Sequence, residues 1–262
     1  MKHNRILFLF SVATVISVVL RTVQIFFAID ATTGFFKKEG LPEAQYILVV
    51  IFLFAIALYL FSLKSHRDPS SPPQGNIVLA SSALLASVSI CYELFSHSVS
   101  AGAPSWQIFA LTVSALLSVV FFLFLCSHEV LGTPLPPFLS VFPTIYLICK
   151  MTCEFTAVSA LALISDNLFL LFGLAAAMLF MLNLTKLYTK AAKENGFRHL
   201  LGWGLCSSLL CITQSLPHFL ILIFTGNNLS HIPFTTNLNL LFLGLFILTF
   251  VLTHFSRKNT DR

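Results

Sequence analysis

Four pairs of strongly polar residues lie about one helical turn apart within long apolar runs of the sequence. They are Arg21 and Gln24, Glu93 and His97, Lys150 and Glu154, and Gln214 and His218. Residues three or four positions apart project from one face of a helix. An ionisable side chain in hydrocarbon costs about 2.5 to 3.5 kcal/mol on insertion scales, so such residues usually face the bundle interior and are paired. The spacing therefore predicts a shared polar interior.

The charged members of this set are two cations and two anions, which suits a closed ion-paired network. Lys150 precedes Glu154 in the chain, and this is the less favourable order for a pair within one helix. We therefore expect pairs between helices, Arg21 with Glu93 or Glu154, and Lys150 with the remaining acid. If the network binds a substrate, the residues predicted to contact it are Arg21, Gln24, Glu93, Lys150, Glu154 and His218.

A structural role for the same polar residues is the alternative. Buried polar side chains in membrane bundles often only link helices or set their register. Gln24 and Gln214 fit that role best, and His97 fits a position at the membrane interface. His218 follows Pro217, which removes a helix hydrogen bond and frees an earlier carbonyl. A kink there serves either a site or the shape of the helix alone.

The composition indicates lipid as the main solvent of the chain. The 262 residues are 57% hydrophobic and 10% charged, with 28 Phe, whereas an ordinary soluble domain is about 45–50% apolar and about 25% charged. This composition excludes a disordered tail and argues against a soluble globule. The net charge of +5 does not indicate nucleic-acid binding, because the basic residues form short clusters between apolar runs rather than one basic stripe.

Eight apolar runs reach the length of about 20 residues that crosses the hydrocarbon core. They cover residues 6–29, 44–63, 77–95, 106–126, 138–164, 168–187, 200–224 and 238–255. Only Ser165, Asp166 and Asn167 separate the fifth run from the sixth, which predicts a tight helical hairpin. No connector is long enough for a second domain. Residues 1–262 are therefore predicted to form one all-α bundle of about eight transmembrane helices.

The distribution of basic residues predicts the orientation, because cytoplasmic loops hold the excess of Lys and Arg. With the amino terminus inside, eleven of the 15 basic residues lie in inner segments, at positions 2, 5, 64, 67, 186, 190, 193, 198, 257, 258 and 262. The outer loops hold only Lys37 and Lys38. The sequence predicts a multi-pass protein of the cell membrane with both termini cytoplasmic.

Small residues at four-residue spacing predict close approach of helices. Three such steps are Gly173 with Ala177, Gly202 with Cys206, and Ala83 with Ser87. They suit contacts within the bundle and equally a homodimer interface.

No motif of known chemistry occurs in the chain. Phosphate-loop, HExxH and GxSxG patterns are missing, and the six cysteines lie in apolar runs without a zinc spacing. Only His218 lies well inside a span, whereas a membrane haem site usually needs histidines at one depth on facing helices. No cofactor and no metal are therefore predicted.

Three functional hypotheses remain on these observations. The leading one is a secondary transporter or permease-like protein that binds a small polar or ionic solute at the charged network. The alternative is a non-catalytic sensor, partner subunit or scaffold whose charges hold the bundle together and whose partner is another membrane protein. An intramembrane enzyme using Glu93, Glu154 and His218 as acid and base groups is the third, and no substrate is indicated for it.

Overall fold

A computed structural model describes residues 2–29, 41–64, 75–96, 105–158, 165–191, 196–226 and 232–256. Within these ranges the chain forms eight α-helices and no β-strand. The helices are α1 (Lys2–Val23), α2 (Leu41–Leu63), α3 (Ile77–Phe95), α4 (Ser105–Leu131), α5 (Val141–Val158), α6 (Ser165–Tyr188), α7 (Gly196–Thr225) and α8 (Phe234–Ser256). A π-helical turn, Gln24–Ala28, extends α1, and a 3-10 turn, Pro137–Ser140, leads into α5.

Each of the eight helices includes a segment long and apolar enough to cross a membrane. Leu, Ile, Val, Phe and Ala dominate these segments, and a helix satisfies its own backbone hydrogen bonds without water. Among the described residues, the finding confirms the predicted all-α class and the predicted number of helices that are long and apolar enough to span a membrane.

Local sequence signals account for several helix ends. The side chain of Asn76 accepts hydrogen bonds from the backbone N–H groups of Val78 and Leu79, at 3.0 and 3.2 Å, and so caps the start of α3. Gly132 follows α4 with a φ of +70° and donates its N–H to the carbonyl of His128. Glycine adopts this left-handed conformation without the Cβ clash that other residues incur.

Several helix ends lie about three to five residues from the predicted span ends, and two of these differences change where polar residues are placed. Helix α4 continues to Leu131 rather than ending near Cys126, because the polar residues that follow are accommodated within its last turn, where His128 and Glu129 are buried. Helix α6 begins at Ser165, so Asp166 lies in its first turn rather than in a loop. The remainder of the predicted fifth span, beyond Val158, lies outside the described residues, as do His97 and the pair Lys37 and Lys38.

Helix α7 occupies the centre of the bundle and packs against α1, α2, α6 and α8. Helix α3 packs against α4 and α8, and α5 lies between α4 and α6. We call the end of the bundle at which α1, α3, α5 and α7 finish the distal end, and the opposite end the terminal end. Contacts of late residues in α1 and α3 with early residues in α6 and α8 define the distal end.

The small-residue step at Gly202 brings α7 close to α2. A Cβ atom added at Gly202 would lie 2.5 Å from Oγ of Ser62 and 2.7 Å from Cδ2 of Tyr59. The corresponding position at Gly173 is looser, since a Cβ there would lie 3.6 Å from Sγ of Cys211. Small residues thus allow α2 to approach the centre of the bundle at the terminal end.

Candidate functional site

A buried arginine in the last turn of α1 connects three helices. Arg21 has no exposed surface, and its guanidinium donates to Oε1 of Gln24, to Oδ1 of Asp166 on α6 and, at 3.3 Å, to Oε1 of Gln214 on α7. Its Cζ atom lies 4.4 Å from the ring centroid of Phe169. Arg21 is thereby held by an ion pair, hydrogen bonds and a cation–π contact.

Asp166 supplies the negative charge of this site. It lies in the first turn of α6, where the helix dipole favours an anion, and it is 2% exposed. Nε2 of His218 on α7 lies 3.3 Å from Oδ1 of Asp166, within ion-pair distance but without the alignment of a hydrogen bond. We call Arg21, Gln24, Asp166, Gln214 and His218 the Arg21 cluster.

The Arg21 cluster retains hydrogen-bonding capacity that the described residues do not use. Nε2 of Gln214 and Nδ1 of His218 are buried and have no hydrogen-bond partner among the described residues. Their side chains are four positions apart on α7, and the two residues are 0% and 6% exposed. A buried polar group without a partner costs about 1–3 kcal/mol. These two atoms are therefore available, within the described part of the protein, to hydrogen-bond a further polar group.

The same turn of α7 contains a break in the backbone hydrogen bonds. Pro217 lies inside the helix and has no N–H to donate to the carbonyl of Thr213. The hydroxyl of Thr213 is likewise buried without a hydrogen-bond partner among the described residues. Thr213, Gln214 and His218 thus place four such atoms within residues 213–218 of the central helix, and other such atoms among the described residues lie elsewhere in the bundle, at Ser17, Gln107, Glu129, Thr144 and Arg198.

A second buried ion pair lies between α3 and α5. Nζ of Lys150 lies 2.6 and 2.5 Å from the two carboxylate oxygens of Glu93. Thr236 and Asn239, on α8, also donate to Glu93, and the hydroxyl of Tyr146 donates to it at 3.3 Å. We call these five residues the Glu93 cluster.

The Glu93 cluster is complete within the protein. Both oxygens of Glu93 accept at least two hydrogen bonds, and Asn239 also donates to the hydroxyl of Tyr146 at 2.7 Å. Within the described part of the chain, none of its five members carries a buried side-chain nitrogen or oxygen that lacks a hydrogen bond. A fully satisfied polar network fixes how helices pack, so the geometry suits a structural connection of α3, α5 and α8.

The sequence predicts one shared polar network, whereas the structure contains two separate clusters. The prediction that Arg21 pairs with Glu93 or Glu154 was wrong, because Asp166 lies next to it across the α1 and α6 helix ends. The pairing of Lys150 with Glu93, one of the two predicted arrangements, is confirmed. Glu154 is partly exposed and forms no hydrogen bond with either cluster within the described part of the chain, although it lies within electrostatic reach of Lys150 and Glu93.

Sequence reasoning missed several residues of both clusters. Asp166 was assigned to a connector, although an acid in an otherwise apolar stretch of this length was itself a signal. The sequence favours a role for Gln214 in linking helices, whereas its amide nitrogen lacks a hydrogen-bond partner among the described residues. Thr236 and Asn239 share one face of the first turns of α8, and this spacing could have pointed to them. Tyr146 carried no comparable signal.

The chemistry available in the Arg21 cluster is polar recognition and proton exchange. It holds one cation, one anion, an amide donor and an imidazole, all buried in the distal half of the bundle. No group of three or more His, Cys, Asp or Glu residues suited to a metal ion occurs among the residues that the structure covers.

Comparison with known proteins places the chain in no family. No protein-family model, no curated protein and no solved structure matches it.

Proposed function

We propose that this protein is a secondary transporter or permease-like protein that binds a small polar or ionic solute at the Arg21 cluster. The observation that carries the proposal is a pair of buried atoms on α7, Nε2 of Gln214 and Nδ1 of His218, which lie beside the Arg21–Asp166 ion pair and have no hydrogen-bond partner among the described residues. A polar solute that paired with these atoms would remove the cost of leaving them unsatisfied.

The proline inside the central helix supports the same proposal. Solute sites of secondary transporters are typically formed near the midplane by discontinuous helices, because a broken helix offers backbone groups to a ligand. Pro217 removes one backbone hydrogen bond of α7 between Gln214 and His218, although the helix continues to Thr225, and the cluster also includes residues of α1 and α6. Movement of α7 against α1 or α6 would change all of these contacts together.

Thermal unfolding of the purified protein in detergent tests solute binding. A ligand that binds only the folded state raises the apparent stability, by about 2.7 kcal/mol at a concentration of 100 times its Kd. We expect hits among small polar solutes or ions to be lost in Gln214→Leu. Glu154→Gln is the matched control, because it removes an intramembrane charge outside both clusters, and it should keep the hits. Loss of hits in both variants, or in neither, would contradict the assigned site.

Uptake into liposomes containing the purified protein then tests transport. A solute identified by binding should accumulate in a manner that depends on the protein, and His218→Asn should reduce its uptake while the protein remains folded. Binding without uptake would retain the site but reject the transport function.

The alternative function is a sensor, partner subunit or scaffold in which the intramembrane charges are structural. The complete hydrogen bonding of the Glu93 cluster favours it, because the buried charges of this cluster find their partners within the protein. A broad screen without any hit, from a protein that unfolds in one sharp transition, would favour this function. Co-purification of one defined membrane protein would support it further.

We also propose that both termini face the cytoplasm of a cell. The described basic residues outside the clusters lie at the terminal end, where Arg5 is near the start of α1, and Lys64, Lys186 and Arg198 lie near helix ends. Such an excess is typical of the cytoplasmic side. A protease added to intact cells should leave a tag at the carboxyl terminus uncut, and should remove it once the membrane is opened. Cleavage in intact cells would reverse the orientation.

A further inference from the structure

The hydrogen-bonding direction of Gln214 follows from its contact with Arg21. A guanidinium only donates, so the amide oxygen of Gln214 must be the atom that faces Nη2 of Arg21, at 3.3 Å. The amide nitrogen then points elsewhere as a donor, and it has no hydrogen-bond partner among the described residues. This atom requires an acceptor.

The neighbouring carboxylate of Asp166 favours one tautomer of His218, although the contact lacks the alignment of a hydrogen bond. A carboxylate only accepts, so the ring proton of a neutral His218 belongs on Nε2, 3.3 Å from Oδ1 of Asp166. Nδ1, which has no hydrogen-bond partner in the described part of the chain, is then an acceptor. When the ring takes up a proton, Nδ1 becomes a donor. One proton therefore changes what this site recognises.

We infer that the Arg21 cluster binds the carboxylate group of a small solute together with one proton, which is held on Nδ1 of His218. With the proton bound, Gln214 and His218 present two donors from one face of α7, and a carboxylate offers two acceptor oxygens to them. This inference rests on the proposed function, since it names the chemical class of the solute at the same site.

The net charge of the cluster favours binding of the carboxylate together with a proton. Arg21 and Asp166 cancel each other, so the cluster is neutral while His218 is neutral. A carboxylate alone would leave a buried net charge, which hydrocarbon disfavours. A carboxylate with one proton restores neutrality. The loaded and empty sites then carry the same charge.

The charged groups around His218 come from two of the four helices packed on α7. Asp166 on α6 and Arg21 on α1 are the ionised groups of the cluster. The distal half of α2 contributes only Glu43 and Tyr46 as titratable residues, and both are exposed. Along α8 the only titratable side chain is His254, in its last turn at the terminal end. Arg21, Asp166 and His218 are therefore the titratable groups of the cluster on the described helices.

Calorimetry on the full-length protein in detergent tests this inference, with acetate, trifluoroacetate and acetamide as probes. Acetate should bind more tightly as the pH is lowered from about 8 to about 6, by up to about tenfold per pH unit, because one proton is taken up with each bound anion. Titrations in two buffers that differ in their heat of ionisation should show one proton taken up per bound anion. Trifluoroacetate stays ionised throughout this range, so proton uptake with this probe identifies the protein as the acceptor.

His218→Asn identifies the residue that takes the proton. The amide of asparagine can occupy the position of Nδ1 but does not titrate, so the pH dependence and the proton uptake should both disappear. His199→Asn, which removes a histidine near the terminal end, should retain both. Proton uptake that is unchanged in His218→Asn, or absent from wild type with trifluoroacetate, would overturn the inference.

The probes separate this inference from the proposed function. Binding of acetamide but of neither anion, lost in Gln214→Leu, would overturn the carboxylate assignment and leave a polar solute site in place. If none of the three probes and no solute of a broad library binds in a manner that depends on Gln214, both proposals fail.

Discussion

Arg21 and Asp166 form a buried ion pair although 145 positions separate them in the chain. The pair joins the last turn of α1 to the first turn of α6, and Gln214 and His218 reach it from α7. Neither α1 nor α6 could hold its charge alone within an apolar bundle. The ion pair therefore depends on the correct assembly of three helices.

Neutralising one partner of this pair should cost more than neutralising both. Arg21→Gln leaves Asp166 buried without its cation, and breaking such a pair costs about 3–5 kcal/mol. The double variant Arg21→Gln with Asp166→Asn leaves no unpaired charge, so it should recover most of the loss. Thermal unfolding in detergent measures both. A double variant as unstable as Arg21→Gln would contradict the pairing.

Variants in the Glu93 cluster should change the stability of the protein without changing solute binding. Lys150→Met leaves the buried carboxylate of Glu93 without its cation, so we expect the free energy of unfolding to fall by about 3–5 kcal/mol. Adding Glu93→Gln should restore most of this loss. Because the Glu93 cluster is complete without a ligand, the double variant should bind the solutes that wild type binds. Binding that disappears while folding is retained would place the solute at the Glu93 cluster instead.

The contact of α2 with α7 at Gly202 should be sensitive to a single methyl group. Gly202→Ala would place its Cβ 2.5 Å from Ser62 and should lower stability by about 1–3 kcal/mol, since the helices must move apart. Gly173→Ala is the matched control, because its nearest neighbour would be at an ordinary 3.6 Å. Gly173→Ala should leave the melting temperature unchanged. Equal melting temperatures for the two variants would show that α2 does not pack as closely as this.

Replacing Pro217 should raise the stability of the protein and weaken solute binding. Pro217→Ala restores an N–H that can donate to the carbonyl of Thr213, and it removes a residue that disrupts a helix interior by about 3 kcal/mol in soluble hosts. We expect a higher melting temperature and weaker solute binding, because the turn that contains Gln214 and His218 becomes regular. Unfolding and ligand titration of the same preparation test this. Stronger binding by Pro217→Ala would contradict a role for Pro217 in the site.

The number and type of helices could be predicted from the sequence because the signal is local. A run such as residues 44–63 contains its own apolar length, and its backbone hydrogen bonds close within the segment, so no knowledge of its neighbours is needed. The depth of Arg21, Glu93, Lys150 and His218 in the distal half followed from their positions along such runs. Helix ends were less predictable, as at Asp166, because a buried partner on another helix decided whether an acid belongs in a helix or in a loop.

Which polar residues meet was decided by the tertiary structure alone. The periodicity of α1 shows that Arg21 and Gln24 share a face, but it does not show that α6 and α7 lie opposite that face. Asp166 and Glu93 are both acids near the distal end of their helices, and only the arrangement of the bundle places one beside Arg21 and the other beside Lys150. The pairing energy of two charges depends on a distance between helices, and that distance is a property of the packed bundle rather than of either segment.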